Sequence, residues 1–78
     1  KGNIMNRDRI EINPKILMGK PVIKGTRIPI YLILNLLSEG RSSEDILNAY
    51  PSLTREDIYA ALHYGGELAQ FEEDTINK

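Results

Sequence analysis

No cysteine and only one histidine, His63, occur in this chain of 78 residues. Below roughly 80 residues, natural domains often rely on disulfides, a structural metal or oligomerisation. The first two supports are ruled out here, because a zinc site of the usual kind needs several Cys or His ligands. Good helix packing or self-association must take their place. The chain is therefore expected to form one domain and to pair as a homodimer. The lack of cysteine also fits a reducing compartment. The longest nearly unbroken apolar run, residues 28–37, is interrupted by Asn35 and is too short to span a bilayer. Residues 1–4 lack the apolar run of a signal peptide. A cytoplasmic protein without membrane contact is the default expectation.

Charge is unevenly distributed. Residues 1–30 hold seven basic and two acidic groups, and residues 31–78 hold three basic and nine acidic groups. A basic N-terminal stretch thus precedes an acidic body. The two halves can attract each other, or the basic stretch can meet an anionic partner.

The local signals place elements along the chain. Arg9-Ile10-Glu11-Ile12 alternates and reads as a short strand ended by Asn13-Pro14. Two β-prone runs flank Lys24-Gly25, where glycine can take the positive φ of a tight turn. Pro21 and Pro29 bound this hairpin, since neither can donate to a ladder. Pro29 also suits the first turn of a helix. In that helix Ile30, Ile33, Leu34 and Leu37 recur on one face, Leu32 and Leu36 widen it, and Gly40 ends it. Ser42 or Ser43 caps a short second helix with Glu44 and Asp45 in its first turn. Its inner residues are Ile46, Leu47 and Tyr50, and Pro51 stops it. Thr54 caps a third helix in which Ile58, Ala61, Leu62, Gly65 and Ala69 share a face and which reaches about Glu73. Residues 1–8 and 74–78 are expected to be disordered. The expected fold is mainly α: a three-helix helix-turn-helix domain over residues 30–73, with a short N-terminal β-hairpin arm over residues 9–29.

Gly65-Gly66 interrupts the third helical pattern. Each glycine costs roughly 1 kcal/mol relative to alanine inside a helix. Either the helix breaks there, or another backbone approaches closely, as at a dimer contact.

Little in the sequence points to catalysis. His63 has no obvious nucleophile or carboxylate partner for a triad. Glu44-Asp45 and Glu56-Asp57 sit at helix starts, where capping and the helix dipole account for them. Gly19-Lys20 and Gly25-Thr26 lack the spacing of a phosphate loop. Neither an enzyme nor a cofactor is expected. The helix-turn-helix plan instead points to DNA, since the second helix of such a motif enters the major groove with its N-terminal residues. Here those are Thr54-Arg55-Glu56-Asp57. Arg55 suits a base or phosphate. Glu56 and Asp57 would repel phosphate unless one accepts from cytosine N4. Much of the salt-sensitive affinity would then come from the arm. Lys20, Lys24, Arg27 and Arg55 are the candidate nucleic-acid contacts. In the competing reading the basic groups merely face solvent and the chain is a non-enzymatic interaction or dimerisation module. Val22, Ile23 and Ile28 of the arm, with Gly65 and Gly66, are then the candidate dimer or partner contacts.

The stretch Gly19-Lys20-Pro21-Val22-Ile23-Lys24-Gly25-Thr26-Arg27-Ile28-Pro29, with Leu36-Leu37-Ser38-Glu39-Gly40 and Tyr50-Pro51-Ser52-Leu53-Thr54-Arg55-Glu56-Asp57-Ile58, resembles a family of short prokaryotic proteins known as domain of unknown function 433. The resemblance extends over about residues 8–73. It implies a homeodomain-like helix-turn-helix fold. It also implies an antitoxin-like role in a type II toxin–antitoxin pair, with a PIN-like ribonuclease as partner and operator DNA as ligand. The motif positions are Gly19, Lys20, Pro21, Gly25, Thr26, Arg27 and Pro29, for which the resemblance implies no catalytic or ligand role. Gly65-Gly66 departs from the pattern, where helix-favouring residues are expected.

Overall fold

A computed structural model of the chain describes residues 8–76. The alternating run after Arg9 forms β1 (Ile10–Glu11), which pairs antiparallel with β2 (Val22–Ile23), Ile10 opposite Ile23 and Glu11 opposite Val22. The reversal expected at Lys24-Gly25 is present, with Gly25 at φ +83°. It is fastened by Thr26, whose N–H and Oγ1 both donate to the Ile23 carbonyl at 3.0 and 2.7 Å. The returning segment adds one bridge, Val22 to Pro29, and a bond from Ile23 N–H to the Ile28 carbonyl at 3.0 Å. The ladder partner of β2 is therefore the earlier strand, and residues 28–29 only graze its other edge.

Three helices follow: α1 (Ile30–Ser38), α2 (Ser43–Ala49) and α3 (Arg55–Ile76). Pro29 is the residue before α1, and the Pro21 carbonyl accepts the Ile30 N–H at 2.9 Å. The hairpin thus satisfies an amide that a proline cap cannot. Gly40, at φ +93°, ends α1 in a Schellman turn: its N–H donates to the Leu37 carbonyl, and that of Arg41 to Leu36. α2 begins with a reciprocal capping box, Asp45 N–H to Ser42 Oγ at 3.0 Å and Ser42 N–H to Asp45 Oδ2 at 3.1 Å. Thr54 and Asp57 repeat this arrangement at α3.

The core gathers Ile23, Ile30, Ile33, Ile46, Leu53, Ile58 and Ala61, so every helix and β2 contributes to it. Fully burying one such aliphatic side chain stabilises the fold by roughly 1.5–3 kcal/mol. The segment read as an arm is consequently part of the body, with Val22 fully buried. On α3 the inward stripe is Ile58, Ala61 and Gly65, while Leu62 and Ala69, expected beside them, are exposed. α3 runs unbroken through Gly65-Gly66 and continues to Ile76, past the stop expected near Glu73. Of the ends expected to be disordered, residues 1–7 and 77–78 lie outside the described residues, Asp8 directly precedes the β1 region, and residues 74–76 are helical.

Candidate nucleic-acid interface

At the N-terminus of α3 two side chains 48 positions apart, Arg9 and Asp57, meet. Asp57 stands in the first turn and is buried, 6% exposed. One carboxylate oxygen, Oδ2, accepts the Thr54 N–H at 2.9 Å, and Thr54 Oγ1 accepts the Asp57 N–H at 3.2 Å. The other, Oδ1, accepts from Arg9 Nη1 at 3.0 Å in an ion pair. Arg9 in turn fixes the hairpin turn, because its carbonyl accepts the Lys24 N–H at 2.8 Å. This relay places the Lys24-Gly25 turn beside the start of α3. Its physical basis is charge: a carboxylate this buried needs its charge and lone pairs matched.

The pairing alters the balance of charge on the helix start. Asp57 is turned inward and neutralised by Arg9. Of the acidic pair in the first turn, Glu56 alone is exposed, beside exposed Arg55. Tyr59 and His63 are exposed further along α3, His63 Nε2 lying 3.2 Å from Glu67 Oε2.

Lys20, Lys24, Arg27 and Arg55 are all exposed, and none is held in an ion pair with another described residue. The register of the ladder separates them. Lys24 lies at the Arg9 end, near α3, whereas Lys20 precedes β2 at the other end, where its N–H donates to the Leu17 carbonyl. Among the residues expected at a dimer or partner contact, Val22 and Ile23 are instead buried within the chain itself: they face opposite sides of β2, and both are covered, Ile23 as a member of the core cluster. Ile28 is half-buried and packs against that core. Gly65 has a close neighbour, but within the same chain: a Cβ there would come within 2.9 Å of Leu34 Cδ1 on α1. A Cβ on Gly66 would meet nothing within 4 Å.

Sequence reasoning missed Arg9 as a fastening residue. The available signal was Thr54-x-x-Asp57, a capping box whose acid keeps a second oxygen free for a cation. A shallow cleft of about 260 Å³ between α1 and α2 is lined by Leu36, Arg41, Asp45, Ile46, Ala49 and Tyr50. Asp45 is committed there to the cap of α2. Among the described residues, no helix is long and apolar enough to cross a membrane.

Comparison with known proteins places the chain among relatives. Residues 10–65 match the family model described as Protein of unknown function (DUF433). The uncharacterized protein y4eO of Sinorhizobium fredii (strain NBRC 101917 / NGR234) is 41% identical over 58 residues, which is 74% of this chain and 26% of that protein. The chain thus spans about a quarter of that relative's length. The crystal structure of a DUF433 member protein from Anabaena variabilis ATCC 29413 superposes with a TM-score of 0.76 at 30% identity, covering 97% of this chain and 75% of that one.

Proposed function

The chain belongs to the DUF433 family, and we propose that it is a non-enzymatic, antitoxin-like regulator that binds operator DNA through the N-terminal half of α3. α2, the turn at residues 50–54 and α3 act as a helix-turn-helix unit. α3 lies in the major groove, and Arg55 reaches a base edge or phosphate. Lys24 and Arg27, carried on the hairpin beside it, contact the flanking backbone. The observation that carries this reading is the Arg9–Asp57 ion pair. It withdraws from the surface one of the two carboxylates that would oppose phosphate, and it brings a basic turn to the same edge. Glu56 is left to accept from a cytosine N4 amine.

The test is a salt titration on DNA from upstream of the chain's own gene. A linear fall of log affinity with log salt is expected. Lys24→Ala should reduce that slope by about 1, and Arg55→Ala should cost about 1–3 kcal/mol and relax specificity at one base pair. Affinity no better than for random DNA would remove the operator from the proposal.

In this role the chain is one half of a type II pair, and its partner is a PIN-like ribonuclease encoded beside it. Co-expression and co-purification of the two neighbours test that half separately. A second reading, a protein-interaction module without nucleic acid, is favoured by the exposed apolar residues Tyr59 and Leu62 on the same helix. Stable co-purification of a neighbour-encoded protein together with no DNA shift would select it.

A further inference from the structure

Along the first two turns of α3 the exposed and buried residues separate cleanly. Arg55, Glu56 and Tyr59 are exposed, whereas Asp57, Ile58, Ala60 and Ala61 are buried. Arg55 and Tyr59 are four residues apart, so they are neighbours on one face of the helix, with about 5–6 Å between their Cβ atoms. Tyr59 is 53% exposed. Its ring is apolar surface left in water, and whatever covers the ring gains by doing so.

The surroundings of the ring say what kind of cover fits. Arg55 is its neighbour on the helix, and the Arg9–Asp57 relay sets the exposed Lys24 beside the same part of α3. Of the two acids in that first turn, Asp57 is buried against Arg9 and only Glu56 is exposed. An apolar protein surface laid over Tyr59 would have to desolvate Arg55 and Glu56 beside it, and charged groups are depleted at the centre of such contacts. A nucleic-acid duplex meets both demands at once. Its phosphates match the cations. Its major groove also offers an apolar group among the base edges, the C5 methyl of thymine.

We propose that Tyr59 is a specificity-determining residue that reads a thymine methyl in the major groove. The inference rests on the DNA-binding reading and deepens it by naming a base that the bound sequence must contain. Spacing follows from the helix. Four residues advance about 6 Å along the axis, close to two base-pair steps of about 3.4 Å. The thymine therefore lies about two base pairs from the position that Arg55 reaches. Cytosine in its place would press an N4 amine against the ring and leave that donor without an acceptor, which is costly once water is excluded. The same residue that favours a protein-interaction module by its exposure thus has a defined task on DNA, and the two tasks are separable.

The experiment replaces thymine by deoxyuridine, which removes the C5 methyl and leaves base pairing unchanged. The wild-type chain first selects duplexes from a random-sequence library, so the test does not depend on the upstream DNA. Each thymine of the best selected duplex is then replaced singly, and binding is followed by fluorescence anisotropy. Replacement at one thymine of each bound site is expected to weaken binding about three- to fivefold, the worth of one buried methyl. Tyr59→Ala should bind the unmodified duplex at least that much more weakly, with an unchanged salt slope because no phosphate contact is lost, and should no longer respond to the replacement. Tyr59→Phe should respond as wild type, whereas a tyrosine hydroxyl bonded to phosphate would make Tyr59→Phe as weak as Tyr59→Ala and would overturn the proposal. Both variants change an exposed side chain and should keep the wild-type circular dichroism. A wild type indifferent to every replacement, or a Tyr59→Ala that keeps the response, would overturn the proposal and leave DNA binding standing. A library that enriches no sequence would overturn both. Tyr59→Ala that binds DNA as wild type but no longer captures a neighbour-encoded protein would overturn it in favour of the interaction module.

Discussion

Asp57 is the residue whose removal tests the most structure at once. Asp57→Ala leaves the Thr54 N–H without its acceptor and Arg9 without its partner. A hydrogen bond to a charged acceptor contributes about 1.5–3 kcal/mol net. The low end applies here, because Thr54 is an exposed residue and its freed amide can recruit water. The Arg9 side chain is 38% exposed. Solvent therefore screens the pair, and its share is about 0.5–1 kcal/mol. The expected loss is about 2–2.5 kcal/mol, a large part of the stability of a domain this small, and a fall in Tm of roughly 8–20 °C. Asp57→Asn keeps an acceptor for Thr54 and should lose about half as much. Urea unfolding followed by circular dichroism on Asp57→Ala, Arg9→Ala and the double variant measures the coupling directly. A value of about 0.5–1 kcal/mol is expected. Additive single effects, with Arg9→Ala neutral, would refute the relay and leave the hairpin attached by apolar packing alone.

Other substitutions probe separate elements. Gly66→Ala should stabilise by about 0.8–1 kcal/mol in thermal unfolding, since a Cβ there enters open space. Gly65→Ala must displace Leu34, 2.9 Å away, and repacking of about 1–3 kcal/mol offsets or exceeds the same helical gain. Equal stabilisation by both would contradict the α1–α3 packing described. Gly25→Ala, at φ +83°, should destabilise by roughly 1–2 kcal/mol; no change in the urea midpoint would mean the turn is not left-handed. Ile58→Ala, in the fully buried centre, should cost about 2–5 kcal/mol; a chemical denaturation curve close to wild type would misplace the core.

The helices were legible because their signals are local. Ser42, Thr54, Gly40 and Pro51 are punctuation whose chemistry acts within four residues, and each is found at a helix end. Ile30, Ile33, Ile46 and Ile58 were readable as interior from spacing. What periodicity could not assign was the width of the buried stripe on α3. Leu62 belongs to the apolar pattern, but α1 and α2 cover the side of Ile58, Ala61 and Gly65, and Leu62 stays outside. Val22 and Ile23 carry the same ambiguity: a β-branched pair looks alike whether it meets a partner or its own core, and only the position of β1 decides. The candidate site was half legible. Lys24, Arg27 and Arg55 are visible as charges. Arg9 and Asp57, however, lie 48 positions apart, and no local rule joins them. Nor does Leu17-Met18 announce a left-handed turn, since neither is a residue that favours it.

The Arg9–Asp57 link also bears on where this unit can be cut. The family match opens at Ile10, one residue after the arginine that ties the hairpin to α3. A version trimmed to that boundary would retain both strands, all three helices and the whole signature stretch. It would nonetheless begin after its clasp, with Asp57 buried and its cation gone. For dissection or fusion, the working unit therefore starts upstream of the signature, and Arg9 belongs inside it.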